Sequence, residues 1–478
     1  MSNIGQLAGR KILFLNWRDQ SNPQAGGAES YTEEIAQRFA QAGALVTLFT
    51  SMFRGAEETE ERNGYRVVRR GGRFGIYLAA ARYLRRHANE FDAVVDFQNG
   101  IPFFAPLWAP AKMPVICVIH HVHQRQFDMY FRWPMNKIGQ VLEGRASRRV
   151  YRKLPFVAVS PSTRADMRKE LKFRNPIYIV PNGIELPRPG NARRSAEPSI
   201  AVVTRLVPHK QLHHLVEAVP NLLAKWPDLR VHIAGSGPAS EALAARVGQL
   251  GLEKVVDLPG RVSEEAKNRL LSEAWLTVAP SMAEGWGLTV MEASAVGTPA
   301  VAYDVPGLRD SVRHGVTGWL VQPGETLAAA VSDAITELSD AERQRAVEAQ
   351  AMRWAANFSW DSSAERLASI LVTEMRRREL QTADRRHPID LATIASWPAD
   401  AGSGLELMVR NTLRATDIVT VKETGISALL IGCDEVGAMK ALQRGGIPPR
   451  AVRLATSSGV LSGDSDRDAE GDTASIRR

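Results

Sequence analysis

Short apolar runs alternate with amphipathic helical stretches along most of this chain, and the alternation begins twice. Residues 11–17 (KILFLNW) form an apolar run of the kind buried on both faces of a parallel sheet. A loop with Gly26 and Gly27 follows. In the next stretch Tyr31, Ile35 and Phe39 recur every four residues on one helical face. Gly43 ends that helix, and 45–50 (LVTLFT) is the next strand. Strand, helix and strand within about 40 residues predict a doubly wound parallel sheet. Further strands are expected at 91–97, 114–120, 156–160 and 177–180. Residues 186–198, rich in Pro, Arg and small side chains, read as a linker. A second series then opens, with strands at 199–204, 229–234, 255–258, 276–279 and 299–303. The fold class is therefore α/β: two Rossmann-like halves facing a cleft, with ligands expected at the carboxyl ends of the strands.

This pattern divides the chain. Residues 1–187 make an N-terminal Rossmann-like domain and 198–358 a C-terminal one. Residues 359–380 are expected to form a helix that packs back on the N-terminal domain. A polar stretch with several Pro and Gly, 381–404, reads as a second linker, and 405–455 as a small α/β extension. Residues 456–478 hold few large apolar groups and are expected to be disordered.

Composition narrows the function classes. Of 478 residues, 44% are hydrophobic and 23% charged, which excludes a fibrous or largely disordered chain. Cys117 and Cys433 stand far apart, so neither a disulfide scaffold nor a cysteine zinc site is expected, and a reducing cytoplasm fits. The most apolar long stretch, 101–119, contains Pro102, Pro106, Pro110, Pro114 and Lys112, which argues against a membrane-spanning helix. The net charge of +8 is uneven: residues 1–190 carry 28 basic and 16 acidic side chains (+12), the remainder 32 and 36 (−4). Residues 125–174 alone hold 13 basic and 4 acidic. Such a field attracts phosphate-bearing partners, yet no nucleic-acid-binding motif accompanies it.

The strongest chemical feature is SMAEGWGLTVMEASAVGTP at 281–299. Gly285 and Gly287 let backbone approach a ligand closely, and a helix starting near Leu288 and Thr289 offers free N–H groups to an anion. Glu284 and Glu292 flank that site with carboxylates suited to hydroxyl groups. Amides for phosphate and carboxylates for diols match a sugar nucleotide. Arg205 and Lys210 stand in another loop after a strand, in VVTRLVPHKQLHHLVEA at 202–218, where a planar fork and a point charge can meet one diphosphate. The loop AGSGP (234–238), with Gly235, has little side-chain bulk and suits a base or ribose.

These residues resemble a retaining glycosyltransferase of family 4, with the GT-B fold. The matching stretches are AGGAE (25–29), the strand ending in His120, VSPS (159–162), VPNGI (180–184), TRLVPHK (204–210), AGSGP (234–238), 280–299, TGWLV (317–321) and FSW (358–360). The resemblance implies a hexosyltransferase with a nucleotide-sugar donor and a glycan or lipid-linked acceptor, active in cell-envelope or polysaccharide biosynthesis. It implies that Arg205 and Lys210 bind the diphosphate, that Glu292 binds the ribose, and that Glu284 contacts the donor sugar. Gly26 and Gly27 would cap the diphosphate, Gly235, Gly287, Leu288 and Thr289 would complete the donor site, and His120 would face the sugar near the anomeric carbon. It implies no metal and no other cofactor. His120, His121 and His123, leaving a strand, would not all point one way, which argues against a zinc site.

The pattern also departs from the family. Gly-Gly-x-x-Glu is replaced by VPGLRD at 305–310, with Pro306 and Asp310 at the changed positions, and Trp286 stands where Phe is usual; these positions are expected to line the sugar site. Residues 407–442 resemble the later half of a diguanylate cyclase domain, with Glu423, Thr424, Gly425, Ile426 and Ser427 where that family has Gly-Gly-Asp-Glu-Phe. Cyclase activity is not expected. A sugar-nucleotide sensor acting through this extension is the alternative to an enzyme. A cluster of Arg145, Arg148, Arg149, Arg152 and Lys153 further suggests peripheral contact with an anionic membrane at its inner face.

Overall fold

The computed structural model describes residues 2–186, 194–380, 391–398 and 405–456, apart from 414–416, 423–424, 432, 434, 448 and 450. The expected disordered tail, 456–478, lies outside the described residues except for Thr456, which ends a strand, and so do residues 187–193 of the first linker. The chain divides into two compact units, Met1–Glu379 and Leu380–Arg478.

The first unit has the GT-B architecture. Its N-terminal sheet contains β1 (Lys11–Leu15), β2 (Leu45–Thr50), β3 (Thr59–Arg62), β4 (Tyr65–Arg69), β5 (Ala93–Gln98), β6 (Val115–Ile119), β7 (Phe156–Ala158) and β8 (Ile177–Ile179). The order is β3-β4-β2-β1-β5-β6-β7-β8, all parallel except the β3–β4 hairpin. That hairpin is absent from the sequence reading. Asn63 (φ 48°) and Gly64 (φ 86°) turn it; β4 buries Tyr65, Val67 and Val68, while β3 is charged and is tied down by ion pairs. Buried Arg69 donates to Asp19 at 2.7 Å and to Glu60 at 2.7 Å. The helix Gly27–Gln41 forms as the spacing predicts, with Tyr31, Ile35 and Phe39 fully buried against the sheet.

The C-terminal sheet contains β9 (Ser199–Val203), β10 (Arg230–Ala234), β11 (Val256–Gly260), β12 (Thr277–Ala279), β13 (Ala300–Tyr303) and β14 (Gly318–Val321). Two parallel triplets, β11-β10-β9 and β12-β13-β14, are joined by a bridge between Ile200 and Leu276. In both domains the strand order reverses beside the first strand, so the loops after β1, β9 and β12 open at the switch points where ligands bind.

The helix Trp360–Leu380 closes the unit. Its Glu365 accepts from the backbone of Asn3 (2.5 Å) and Ile4 (3.0 Å), Asp361 pairs with Arg38 at 2.5 Å, and Ser363 donates to the Pro181 carbonyl at 2.7 Å. Gly183 has no room for a Cβ because the Trp360 backbone lies against it. The stretches VPNGI and FSW therefore meet as packing partners.

The second unit is a four-stranded antiparallel sheet of β15 (Leu391–Pro398), β16 (Ile418–Lys422), β17 (Gly425–Ile431) and β18 (Ala451–Thr456), ordered β16-β17-β15-β18. Helices Leu405–Thr412 and Glu435–Arg444 accompany it, and Trp397, Val409, Leu442 and Ile447 share its core. Strand β15 corrects the expected linker over 381–404. Its buried positions include the small residues Ala392 and Ala395, on opposite faces, so an interior strand reads as a weakly apolar stretch. Glu423 and Thr424 of the cyclase-like stretch lie outside the described residues.

Candidate functional site

Two loops from opposite domains meet over the start of the helix Gly27–Gln41. The Arg205 guanidinium lies directly over Gly26: a Cβ there would stand 2.8 Å from its Cζ. Arg205 Nη1 donates to the Gln24 carbonyl at 3.2 Å. Arg18, which the sequence reading missed, donates to the same carbonyl at 3.1 Å and stacks on Trp17 at 3.9 Å. Two guanidinium groups thus converge on one backbone oxygen. Burial and the nearby charge of Arg205 lower the pKa of Arg18, while Glu29 opposes that shift. A lone arginine after a strand, without a flanking motif, gives no sequence signal.

The second helix start is nearby. Gly287 takes the left-handed conformation (φ 81°) and begins the helix Leu288–Ala295. Leu288 packs toward Gly27, with its Cδ2 3.7 Å from where a Cβ would be. The N-termini of both helices and the Arg205 guanidinium therefore share one locality. Unpaired first-turn N–H groups and aligned peptide dipoles make such a place electropositive. Gly235 (φ 144°) presses against the Thr204 carbonyl, which packs the AGSGP loop onto the strand end carrying Arg205.

Lys210 and Glu284 form an ion pair, and Ser281 donates to the same carboxylate at 2.9 Å. Burial opposes ionisation of Glu284, but the charge and hydrogen bond of Lys210 outweigh it, so its pKa falls below the ordinary value. Glu292 pairs with Lys267 at 2.9 Å. Here burial prevails, and the Glu292 pKa is raised despite that partner. Lys267 also pairs with Glu264 at 2.6 Å and was not singled out from sequence, where it looks like any surface-helix lysine.

Across the cleft the side chains are aromatic and imidazole. His120 is 5% exposed, with Tyr31 edge-on at 5.1 Å and Phe97 stacked at 6.5 Å. Its Nε2 has no hydrogen-bond partner. Burial, then the neighbouring His121 and His123, push its pKa down to about 3, so the ring is neutral near pH 7. His121 and His123 pack together with centroids 3.7 Å apart, and His121 bonds Gln126 at 2.9 Å. Among the described residues no cluster of three or more His, Cys, Asp or Glu is arranged to hold a metal ion. The His120 carbonyl abuts Gly285, leaving no room for a Cβ, and Thr163 Oγ1 donates to it at 3.1 Å. The domains also meet where the Ser162 N–H donates to Asp310 at 2.7 Å. Trp286, expected to line the sugar site, is instead buried with its ring 4.9 Å from Phe358. The glycines on either side carry the loop past the cleft while the indole turns into the core.

Two family models divide this unit between them. Residues 25–188 match Glycosyltransferase Family 4, and residues 184–354 match Glycosyl transferases group 1. The two matches together span residues 25–354, the two-domain extent of a glycosyltransferase of the family 4 type. A GDP-mannose-dependent alpha-(1-6)-phosphatidylinositol monomannoside mannosyltransferase from Mycolicibacterium smegmatis is 28% identical over 385 residues, covering 75% of this chain and 97% of the relative. A D-inositol 3-phosphate glycosyltransferase from Nocardia farcinica is 38% identical over 213 residues, covering 41% of this chain and only 47% of that relative. Among solved structures, sucrose-phosphate synthase from Thermosynechococcus elongatus superposes with a TM-score of 0.64 at 20% identity, over 78% of this chain and all of that one. Anabaena HepE in complex with UDP-glucose does so with a TM-score of 0.57 at 19% identity, over 76% of this chain and 99% of that one. At these identities the structural likeness is one of fold. Among the described residues no helix is long and apolar enough to cross a membrane.

Proposed function

We propose that this protein transfers a hexose, with retention, from a nucleotide sugar to a glycan or lipid-linked acceptor at the inner face of a membrane. The observation that carries the reading is the convergence of Arg205, one helix N-terminus from each domain and the Lys210–Glu284 pair at one cleft. Arg205 and Lys210 bind the diphosphate and stabilise the charge that develops as it leaves, an electrostatic effect of the kind that usually dominates. Gly26, Gly27, Gly287, Leu288 and Thr289 supply close backbone and amides to the same phosphates, and Gly235 gives the base room. Glu292 accepts the ribose hydroxyls. Glu284, ionised and fixed by Lys210 and Ser281, accepts a hydroxyl of the donor sugar. Neutral His120 offers its unpartnered Nε2 to the sugar from the other domain.

In the chemical step the glycosidic C–O bond breaks and its electron pair leaves on the diphosphate. The acceptor hydroxyl attacks the same face, and the departing phosphate oxygen takes its proton. Every charge in this step is met by a side chain or helix terminus of the chain, so the mechanism calls for no metal.

A panel of UDP-, GDP- and ADP-sugars tests the reading, because a ligand that binds only the native state raises its apparent melting temperature. One donor class should raise it and be slowly hydrolysed without acceptor. Tight binding with no hydrolysis and no transfer would favour the sensor.

A further inference from the structure

Fourteen large apolar side chains are exposed among the described residues, and six crowd into one short stretch: Met129, Tyr130, Trp133, Met135, Ile138 and Val141. Trp133 is 80% exposed, the highest of them. The stretch is a helical hairpin, Gln124–Tyr130 and Met135–Val141. It is firmly built on its inner side. Phe127 and Gly139 are in contact across it, and a Cβ at Gly139 would collide with the phenyl ring. At its base, fully buried Glu143 accepts from the His123 N–H at 2.7 Å and from Gln124 at 2.6 Å. The outward apolar face therefore belongs to an ordered element.

The second helix continues without a break through Leu142–Ala146 to Ser147–Val150. Met135, Ile138 and Val141 recur at the three-residue spacing of one helical face. Arg145, Arg148, Arg149 and Arg152 follow in and beyond the π-helical turn Leu142–Ala146, and all four are exposed. An apolar tip thus passes into a basic shoulder. Asp128, the exposed acid of residues 124–153, is engaged by Asn136 (2.8 Å) and Gln140 (2.9 Å). A second copy docking on this face would bring two basic shoulders together. An anionic bilayer satisfies both parts at once: interfacial depth for Trp and aliphatic side chains, and headgroups for arginine.

We propose that the hairpin of residues 124–141 is a membrane-docking element, which seats its apolar tip in the interface of an anionic bilayer while the arginine shoulder lies on the headgroups. The hairpin begins four residues after His120, and the Tyr130 hydroxyl bonds His209 Nδ1 at 2.8 Å, one residue from Lys210. Docking there holds the mouth of the cleft at the bilayer, where a lipid-linked acceptor is delivered. Only that delivery step rests on the glycosyl-transfer reading; docking itself does not.

The test is co-sedimentation with vesicles of phosphatidylglycerol and phosphatidylcholine, beside vesicles of phosphatidylcholine alone. Binding should require the anionic lipid and fall as salt rises. Trp133→Ser with Ile138→Ser should weaken it about 10-fold or more. The quadruple variant Arg145→Gln, Arg148→Gln, Arg149→Gln, Arg152→Gln should weaken it about 100-fold or more. Both variants should keep the wild-type melting temperature and wild-type donor hydrolysis without acceptor. Brominated lipid should quench wild-type tryptophan fluorescence more than that of Trp133→Phe. Equal binding to neutral vesicles, no binding at all, or a wild-type dimer that the serine pair dissolves would each overturn the proposal. Loss of donor hydrolysis in the wild type would instead overturn the glycosyl-transfer reading and leave docking standing.

Discussion

The two walls of the cleft are built from different chemistry. The C-terminal wall is made of paired charges: Lys210 with Glu284, and Lys267 with Glu292, on loops and helices that follow parallel strands. The N-terminal wall offers a buried neutral imidazole, aromatic rings, and Arg18 beside a glycine turn. Charges held by opposite charges are already oriented, and such a wall suits a highly charged donor. A wall of neutral and aromatic groups suits a sugar and its acceptor, which carry little charge at the reacting atoms. This difference supports the proposed donor role of the C-terminal half and acceptor role of the N-terminal half.

The largest expected effect breaks the charged wall. Arg205→Ala should lower turnover about 100-fold or more, since a charge-assisted hydrogen bond contributes roughly 10- to 150-fold and stabilising developing charge adds to that. The Arg205 side chain is exposed, so the melting temperature should stay near wild type. Lys210→Ala should cost turnover similarly, with some stability lost because it strands the Glu284 carboxylate. Near-normal turnover in both variants would remove the diphosphate from this wall.

A smaller effect divides the wall into two positions. Calorimetric titration should show Glu292→Ala binding the free nucleoside diphosphate about 10-fold more weakly, as expected for loss of hydrogen bonds to an ionised group. Glu284→Ala should spare that ligand and weaken only the intact sugar nucleotide. Equal losses for both ligands in Glu284→Ala would move that residue away from the sugar.

The mildest effect probes the neutral wall through pH. The His120 and His123 pKa values are pushed down to about 3 and about 4, chiefly by burial, against an ordinary value of 6.5. Stability from keeping these rings neutral is complete above pH 6.5 and is lost as pH falls toward 4. Glu143 runs the other way. Burial raises its pKa to about 8, so its contribution is complete below pH 4.5 and is lost as pH rises through 8. Denaturant midpoints measured from pH 4 to 9 should peak between these limits, and His120→Asn should flatten the acid side. An unchanged acid limb in that variant would show that His120 is not held neutral by burial.

The charged wall was largely legible in the sequence, while much of the neutral one was not. Arg205, Lys210, Glu284 and Glu292 stand in loops whose glycines and following helices announce a phosphate site, and each strand of that domain named in advance is present. Lys267 was hidden because its partner is 25 residues away on another helix. Arg18 was hidden for a similar reason: its meaning lies in sharing the Gln24 carbonyl with a residue 187 positions later. The β3–β4 hairpin escaped because β3 is charged or polar throughout and the buried Tyr65, Val67 and Val68 of β4 are interrupted and flanked by arginines. Strand β15 escaped because its buried positions include alanines between two prolines. The hairpin at 124–141 could not be read as exposed, since an apolar face reads the same whether it is covered or not.

The most direct measurement follows the anomeric proton by NMR during transfer, or during slow donor hydrolysis. With an α-linked nucleotide sugar, the first-formed product should be the α-anomer, appearing before mutarotation and about 100-fold or more slowly in Arg205→Ala. A β-anomer as the first product, or a donor that binds and is never cleaved, would contradict a retaining glycosyltransferase whose charged wall drives departure of the diphosphate.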